Sequence, residues 1–308
     1  MFKVLYLNPT IDQTFYFDSF TEGGTNRPVS TTEEGAGKPL NFACLMSLLG
    51  GNVSLKGFRF TDDDDLIISK AEQFNLDHEL INTTGKTRRN IKIVDLSKNL
   101  VTEINGNSEA SDIELEELVE KIIFNGLDEK DLVVMSGSLC KGLSSDLYKK
   151  IAVKLDEMKI RFFIDASGTT LRDCLLYKPF MIKPNQDEFN QLTGITTDDI
   201  LVISAENQKL LNAGLKNICV SLGSSGAVFT NDSGSYFAKP PLLRIKTTVG
   251  AGDAMAAGLL FSLESGFDTK NSLAFATACS CALITDSLNI NSIQKYEKEI
   301  EVMKIVLD

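Results

Sequence analysis

Two hydrophobic rhythms alternate along this chain. Short apolar runs rich in β-branched and aromatic residues, at 4–8, 53–57, 132–136, 162–165, 180–183 and 218–222, predict strands. Between and after them, apolar positions recur at helical spacing over 40–49, 66–74, 113–124, 145–158, 187–192, 253–264, 270–285 and 293–306. Such alternation predicts a mainly parallel sheet with helices on both faces. Ligands then bind at the carboxyl ends of the strands. Two regions break the rhythm. Residues 14–17, a Gly23-Gly24 turn and 28–32 read as one strand pair; 90–95, a polar turn and 100–104 read as another. Together they predict a small sheet standing off the main one. Its apolar face, with Phe15 and Phe17, would be covered by the active site or by a second subunit. The acidic run 62–65 is expected to open a helix, where carboxylates suit the dipole.

Composition narrows the function. The 308 residues suffice for one large α/β domain, and 43% hydrophobic with 24% charged residues is ordinary for a globular protein. A net charge of −11 argues against general binding to nucleic acid or membrane surfaces, which needs a basic face. No run approaches the ~20 apolar residues of a membrane span, and the first residues read as a strand, not a signal peptide. The six scattered cysteines have no zinc spacing and fit a reduced, cytoplasmic protein. The single histidine, His78, lies among acidic neighbours and reads as a surface or strand-edge residue. Its solitude removes most histidine-based mechanisms, leaving proton chemistry to a carboxylate or lysine.

The most informative stretch is Thr247-Thr248-Val249-Gly250-Ala251-Gly252-Asp253-Ala254, where a glycine turn opens a helix of small residues. Such a turn aims backbone N–H groups at one point, at the positive end of a helix dipole. Asp253 would repel an anion held there unless it has work to do, such as taking the proton of an attacking hydroxyl. Phosphoryl transfer to an alcohol is the chemistry implied. Ser221, Gly223 and Gly226 form a glycine-bearing turn after a strand, a plausible wall for a nucleotide. In Lys183-Pro184-Asn185-Gln186-Asp187-Glu188, Asn185 and Glu188 share a helix face and could hold Mg²⁺ through its waters. They could equally form a capping box, and the two roles are compatible. Glu33-Glu34-Gly35-Ala36-Gly37-Lys38-Pro39-Leu40-Asn41 reads as a second glycine loop feeding a helix, placing Gly37, Lys38 and Asn41 near a polar substrate. Asp12 follows the first strand and suits sugar hydroxyls. Arg88 and Arg89 point to opposite sides of a strand, so at most one can clamp a phosphate.

These pieces, with Asn8-Pro9-Thr10-Ile11-Asp12, Thr87-Arg88-Arg89-Asn90 and Ser136-Gly137-Ser138-Leu139, resemble nearly end to end the ribokinase-like carbohydrate kinases of the phosphofructokinase B type. Within that family the likeness is to the 1-phosphofructokinase and tagatose-6-phosphate kinase branch. The resemblance implies a three-layer α/β/α domain spanning 1–308, with a mainly parallel sheet and a small β-sheet lid from segments near 12–32 and 87–105. It implies ATP and Mg²⁺, and a homodimer formed through the lid. Asp253 would be the base, with Gly250, Ala251, Gly252 and Asp253 forming the anion hole. Asp12 and Asn41 match sugar-contacting positions; Gly37, Lys38, Arg88 and Ser138 match positions around the substrate and its existing phosphate. Arg27 matches a lid residue that in some relatives crosses the dimer. Lys183, Asn185 and Glu188 match the phosphate and magnesium region, and Ser221, Gly223 and Gly226 the nucleotide loop. The implied reaction is phosphorylation of fructose 1-phosphate to fructose 1,6-bisphosphate, with tagatose 6-phosphate or fructose 6-phosphate as alternatives. The chain departs from the branch at Ala36 and Pro39, around Lys38, and at Cys140, where proline is usual.

Two other classes compete. A dinucleotide-binding dehydrogenase would use Gly250-Ala251-Gly252, but Met255 stands where a third small residue belongs, and no acidic ribose partner follows in a βαβ unit. A sugar-phosphate binder without activity would explain the altered Lys38 loop but not the retained Asp253.

Overall fold

The computed structural model describes residues 1–62, 65–111, 114–285 and 288–307. A ten-stranded sheet forms the centre, running from Glu301–Ile305 through Gly234–Lys239, Ala227–Asn231, Asn217–Ser221, Met181–Ile182, Arg161–Asp165, Leu132–Ser136, Phe2–Tyr6 and Val53–Phe60 to Asp77–Thr83. Pairing is parallel from Asn217–Ser221 to the Asp77–Thr83 edge and antiparallel on the other side. The central strands are buried on both faces, as parallel strands under helices must be. Strand alternation divides their side chains between two cores. Phe2, Val4 and Tyr6 enter one, with helices Lys38–Leu48, Ala251–Glu264 and Thr269–Ile284. Leu5 and Leu7 enter the other, with Leu115–Phe124, Leu147–Glu157 and Ile200–Asn212. This is the three-layer order that the resemblance implied: helices, mainly parallel sheet, helices.

A four-stranded sheet stands apart, ordered Ser30–Ala36, Thr10–Phe17, Arg88–Asp95, Leu100–Asn105. Its middle pair is parallel and its outer pairs antiparallel. Tyr6 ties it to the main body: its hydroxyl donates to Ala36 O at 2.7 Å and accepts from the Thr10 N–H at 3.0 Å.

Several expectations change. The stretch 293–306 is not one helix. A helix covers Ile290–Glu297, and Glu301–Ile305 then pairs antiparallel with Gly234–Lys239 as an edge strand. The β-branched Val302 and Ile305 suit that edge, and the available pairing partner overrides the helical period. The hairpin Ala227–Asn231/Gly234–Lys239, the edge strand Asp77–Thr83 and the helices Gly168–Leu175 and Ile200–Asn212 had no sequence expectation. Phe17 is buried, its ring edge-on to Phe20 with centroids 5.3 Å apart, so part of the cover expected from the active site or a second subunit comes from the chain's own loop. Gly35 and Ala36 complete a strand instead of a loop, and only Gly37 turns the chain into the helix. Of the acidic run, Asp63 and Asp64 lie outside the described residues, as does Ile113 of the stretch 113–124. Asp65 precedes the helix Leu66–Gln73 without capping it and pairs with Arg59 at 2.5 Å, while Asp62 accepts the Thr87 hydroxyl at 2.5 Å.

Candidate active site

A cavity of 770 Å³ opens where the carboxyl ends of the central strands face the small sheet. On its floor the helix Ala251–Glu264 begins at Gly250, with no side chain capping it. Its first-turn N–H groups therefore have no acceptor within the helix and carry the positive end of the dipole. Asp253 sits in that turn, buried, and its Oδ2 accepts from Asn41 Nδ2 at 3.1 Å. Burial, then the negative charge of Asp165, push the Asp253 carboxyl up to about 7; the Asn41 hydrogen bond and the Lys38 and Lys183 charges pull the other way.

Asp165 organises this end. It closes the buried strand Arg161–Asp165 and receives Lys38 at 3.2 Å and Lys183 at 3.5 Å. Burial opposes its charge, but the two ammonium groups outweigh burial and hold its carboxyl below the usual carboxylate range. Lys38 is raised above the usual lysine value: burial opposes that, and the Asp165, Asp253 and Glu188 charges prevail. A Cβ on Gly252 would stand 3.2 Å from Lys183 Nζ, so glycine there lets the ammonium reach the helix terminus. Asp165 was not singled out from the sequence. Its signal was an apolar strand, Phe162-Phe163-Ile164, ending in a buried acid at the sheet's ligand-binding edge.

The opposite wall is the small sheet. Asp12 accepts from Asn90 Nδ2 at 3.0 Å and pairs with Lys92 at 2.5 Å; Arg88 Nε donates to Asn90 Oδ1 at 2.7 Å. Arg88, Asn90 and Lys92 alternate along one strand and share the cavity face, while Arg89 turns away to Glu33 at 3.8 Å. Sequence reasoning missed Asn90 and Lys92, although their two-residue spacing from Arg88 could have found them. Glu103 and Asn105 line the cavity from the neighbouring strand.

At the third side, Asn185 and Glu188 form a capping box: Asn185 Oδ1 accepts from the Glu188 N–H at 2.8 Å and Glu188 Oε2 from the Asn185 N–H at 2.9 Å. The Ser221 N–H donates to Pro184 O at 3.1 Å, which joins the two candidate nucleotide loops. Gly37, Ser138, Lys183, Asn185, Glu188 and Ser221 all reach the cavity wall. Ala251, Gly223 and Gly226 do not line it, and at Gly226 a Cβ would meet Ala238 O at 2.0 Å, a reason for glycine that involves no ligand. Arg27 is exposed on the loop between the strands Thr10–Phe17 and Ser30–Ala36 and does not line the cavity. His78 stays half-buried on the edge strand Asp77–Thr83. The Gly250 turn follows an irregular stretch, not a strand, so the βαβ setting of a dinucleotide fingerprint is absent.

The pfkB family carbohydrate kinase profile matches residues 6–295. The chain is 30% identical to the 1-phosphofructokinase of Bacillus subtilis over 312 aligned positions, covering 99% of this chain and 100% of that one. It is likewise 30% identical to a tagatose-6-phosphate kinase of Staphylococcus epidermidis, with the same coverage. Among solved structures, Escherichia coli phosphofructokinase-2 in complex with fructose-6-phosphate superposes with a TM-score of 0.90 at 20% identity, over 97% of this chain and 98% of that one, a likeness of fold.

Proposed function

The chain belongs to the pfkB carbohydrate kinase family, and on that premise we propose that it transfers the terminal phosphoryl group of ATP to a hydroxyl of a sugar phosphate, with fructose 1-phosphate first among substrates and tagatose 6-phosphate and fructose 6-phosphate next. The observation that carries this reading is Asp253, a buried carboxyl with a pKa of about 7 in the first turn of an uncapped helix. A base with that affinity is matched to neutral pH. Asp253 takes the proton of the acceptor hydroxyl, the sugar oxygen forms its bond to phosphorus, and the bond from phosphorus to the departing nucleotide breaks. The first-turn N–H groups of Gly252 and Asp253 stabilise the charge on the transferring group, and Lys183 adds a cation beside them. Asn41 orients the base. Asp12, Lys38, Arg88 and Ser138 position the sugar phosphate.

Among the described residues no cluster of three or more acidic, histidine or cysteine side chains could enclose a metal. Mg²⁺ does not require one, since it keeps several waters and binds through one or two carboxylates and substrate phosphates. Glu188 fits that mode: its Oε2 serves the helix cap and its Oε1 remains available, with Asn185 beside it. Bound there, Mg²⁺ would neutralise phosphate charge.

We place the enzyme in a reducing compartment, the cytoplasm, because all six cysteines are free and buried. No helix among the described residues is long and apolar enough to cross a membrane. The free edge of the small sheet carries exposed Leu100, Val101 and Ile104, which supports a homodimer through that sheet. Ile104→Lys should then convert a dimer to a monomer in sedimentation, and an unchanged mass would remove that interface. ADP release measured across a panel of sugars and sugar phosphates tests the activity itself. The proposed function fails if no sugar phosphate is turned over.

A further inference from the structure

Among the described residues five carboxyl groups line the chamber, those of Asp12, Glu103, Asp165, Glu188 and Asp253. Four of them are engaged. Asp12 holds Asn90 and Lys92, Asp165 holds Lys38 and Lys183, Asp253 accepts from Asn41, and Glu188 closes the cap over Asn185. Glu103 is the exception. It is exposed, and its carboxylate makes no ion pair or hydrogen bond among the described residues.

Strand pairing fixes where Glu103 points. Lys92 and Glu103 are partners in register, as are Asn90 and Asn105, so these four side chains share one face of the small sheet. Asp12, the partner of Asn90 on its other side, lies on that face too, and all five residues line the cavity. Leu100, Thr102 and Ile104 alternate onto the opposite face. Apart from Val101 at its outer end, the strand Leu100–Asn105 thus turns polar side chains inward and aliphatic ones outward. A strand that covers an apolar core does the reverse. The inner face of this edge strand is built to meet a polar ligand.

A carboxylate without a cation is a poor neighbour for a phosphate. Ionised, it can only accept hydrogen bonds, through two oxygens at once. Lys92 beside it is held by Asp12 and does not offset its charge. Hydroxyl groups are the donors that match it. We propose that Glu103 accepts hydrogen bonds from the free hydroxyls of the sugar and determines which sugar phosphate is preferred, with the Asn105 amide beside it. The inference rests on the sugar-phosphate reading above and concerns the hydroxyls, not the phosphate. Fructose and tagatose differ in configuration at one hydroxyl-bearing carbon, and an acceptor fixed on a strand meets one arrangement better than the other.

Steady-state kinetics of Glu103→Gln and Glu103→Ala test this, with fructose 1-phosphate, tagatose 6-phosphate, fructose 6-phosphate and ATP. The position is exposed on an edge strand, and thermal melts of both variants report whether folding is intact. Charge alone predicts the opposite sign from the proposal. Removing a lone carboxylate from a chamber for anions should lower KM for every sugar phosphate, by an amount that shrinks with added salt. If Glu103 binds hydroxyls, KM for the preferred sugar phosphate should instead rise, roughly 3- to 10-fold in Glu103→Gln, which keeps an acceptor, and 10- to 100-fold in Glu103→Ala. In Glu103→Ala the preference in kcat/KM for that substrate over the other two should narrow about fivefold or more, with kcat within about threefold and KM for ATP within about twofold of the parent. An unchanged or lower KM for the sugar phosphate, or a preference that does not narrow, overturns the inference and leaves the kinase reading standing. If the parent enzyme turns over none of the three sugar phosphates, the sugar-phosphate reading falls and this inference falls with it.

Discussion

On one wall of the cavity Asp253, Asp165 and Lys183 are buried at the ends of strands and a helix in the main body. On the other, Arg88, Asn90 and Lys92 stand half-buried on a sheet whose outer strand, Leu100–Asn105, is exposed along its whole length. At the first wall each charged group has a partner at fixed distance, two lysines around Asp165 and a neutral amide on Asp253. At the second, side chains hang from a thin sheet and one guanidinium is left without a carboxylate among the described residues. Proton transfer needs a group whose affinity is set by rigid, dry surroundings. Recognition of a phosphate needs an accessible cation that water can leave. We propose that the two walls divide these tasks.

If that division is real, losses at the buried wall should appear in kcat and losses at the sheet in KM. The largest effect is expected for Asp253→Asn, a fall in kcat of roughly 10²–10⁴ with KM little changed. Near-normal turnover would end its assignment as the base. Arg88→Ala should raise KM for the phosphorylated sugar about 10- to 100-fold while KM for ATP holds. A fall confined to kcat would erase the distinction between the walls.

Smaller effects sharpen the comparison. The rate of the parent enzyme should rise through a pH near the Asp253 value of about 7, as the base loses its proton. Asp165→Asn removes a charge that raises that value and releases two lysines toward Asp253, so the acid limb should move to lower pH. A limb that stays in place would mean that Asp165 does not act on the base. The smallest effect is on stability. Asp253 keeps its proton in the folded protein up to about 7, whereas an unfolded aspartate loses it near ~4. Stability therefore declines as pH rises through that window and stays reduced above it. Asparagine cannot ionise, so Asp253→Asn should raise Tm by about 2–5 °C at pH 8 and by little at pH 4. Equal gains at both pH values would point to packing instead of charge.

What the sequence disclosed follows the same line. The central strands and the Gly250 turn were legible because local residues determine them: an apolar run, a glycine, a helix of small side chains. Asn185 and Glu188 carried two readings, and the capping box is present at the cavity wall, where it leaves Glu188 Oε1 available. Asp165 was hidden because its importance lies in Lys38 and Lys183, 127 and 18 positions away in the chain. The edge strand Glu301–Ile305 was hidden because only its partner, Gly234–Lys239, distinguishes it from the end of a helix. Phe17 looked exposed because nothing local announces that Phe20 folds back over it.

Tyr6 has a mechanical consequence. Thr10 and Ala36 are partners in register at the root of the small sheet, and one phenol hydroxyl grips both, from the end of a central strand. The root of the small sheet is thereby anchored to the strand end that leads directly to Asn8 at the cavity wall, so the placement of the sheet over the cavity depends on one buried phenol.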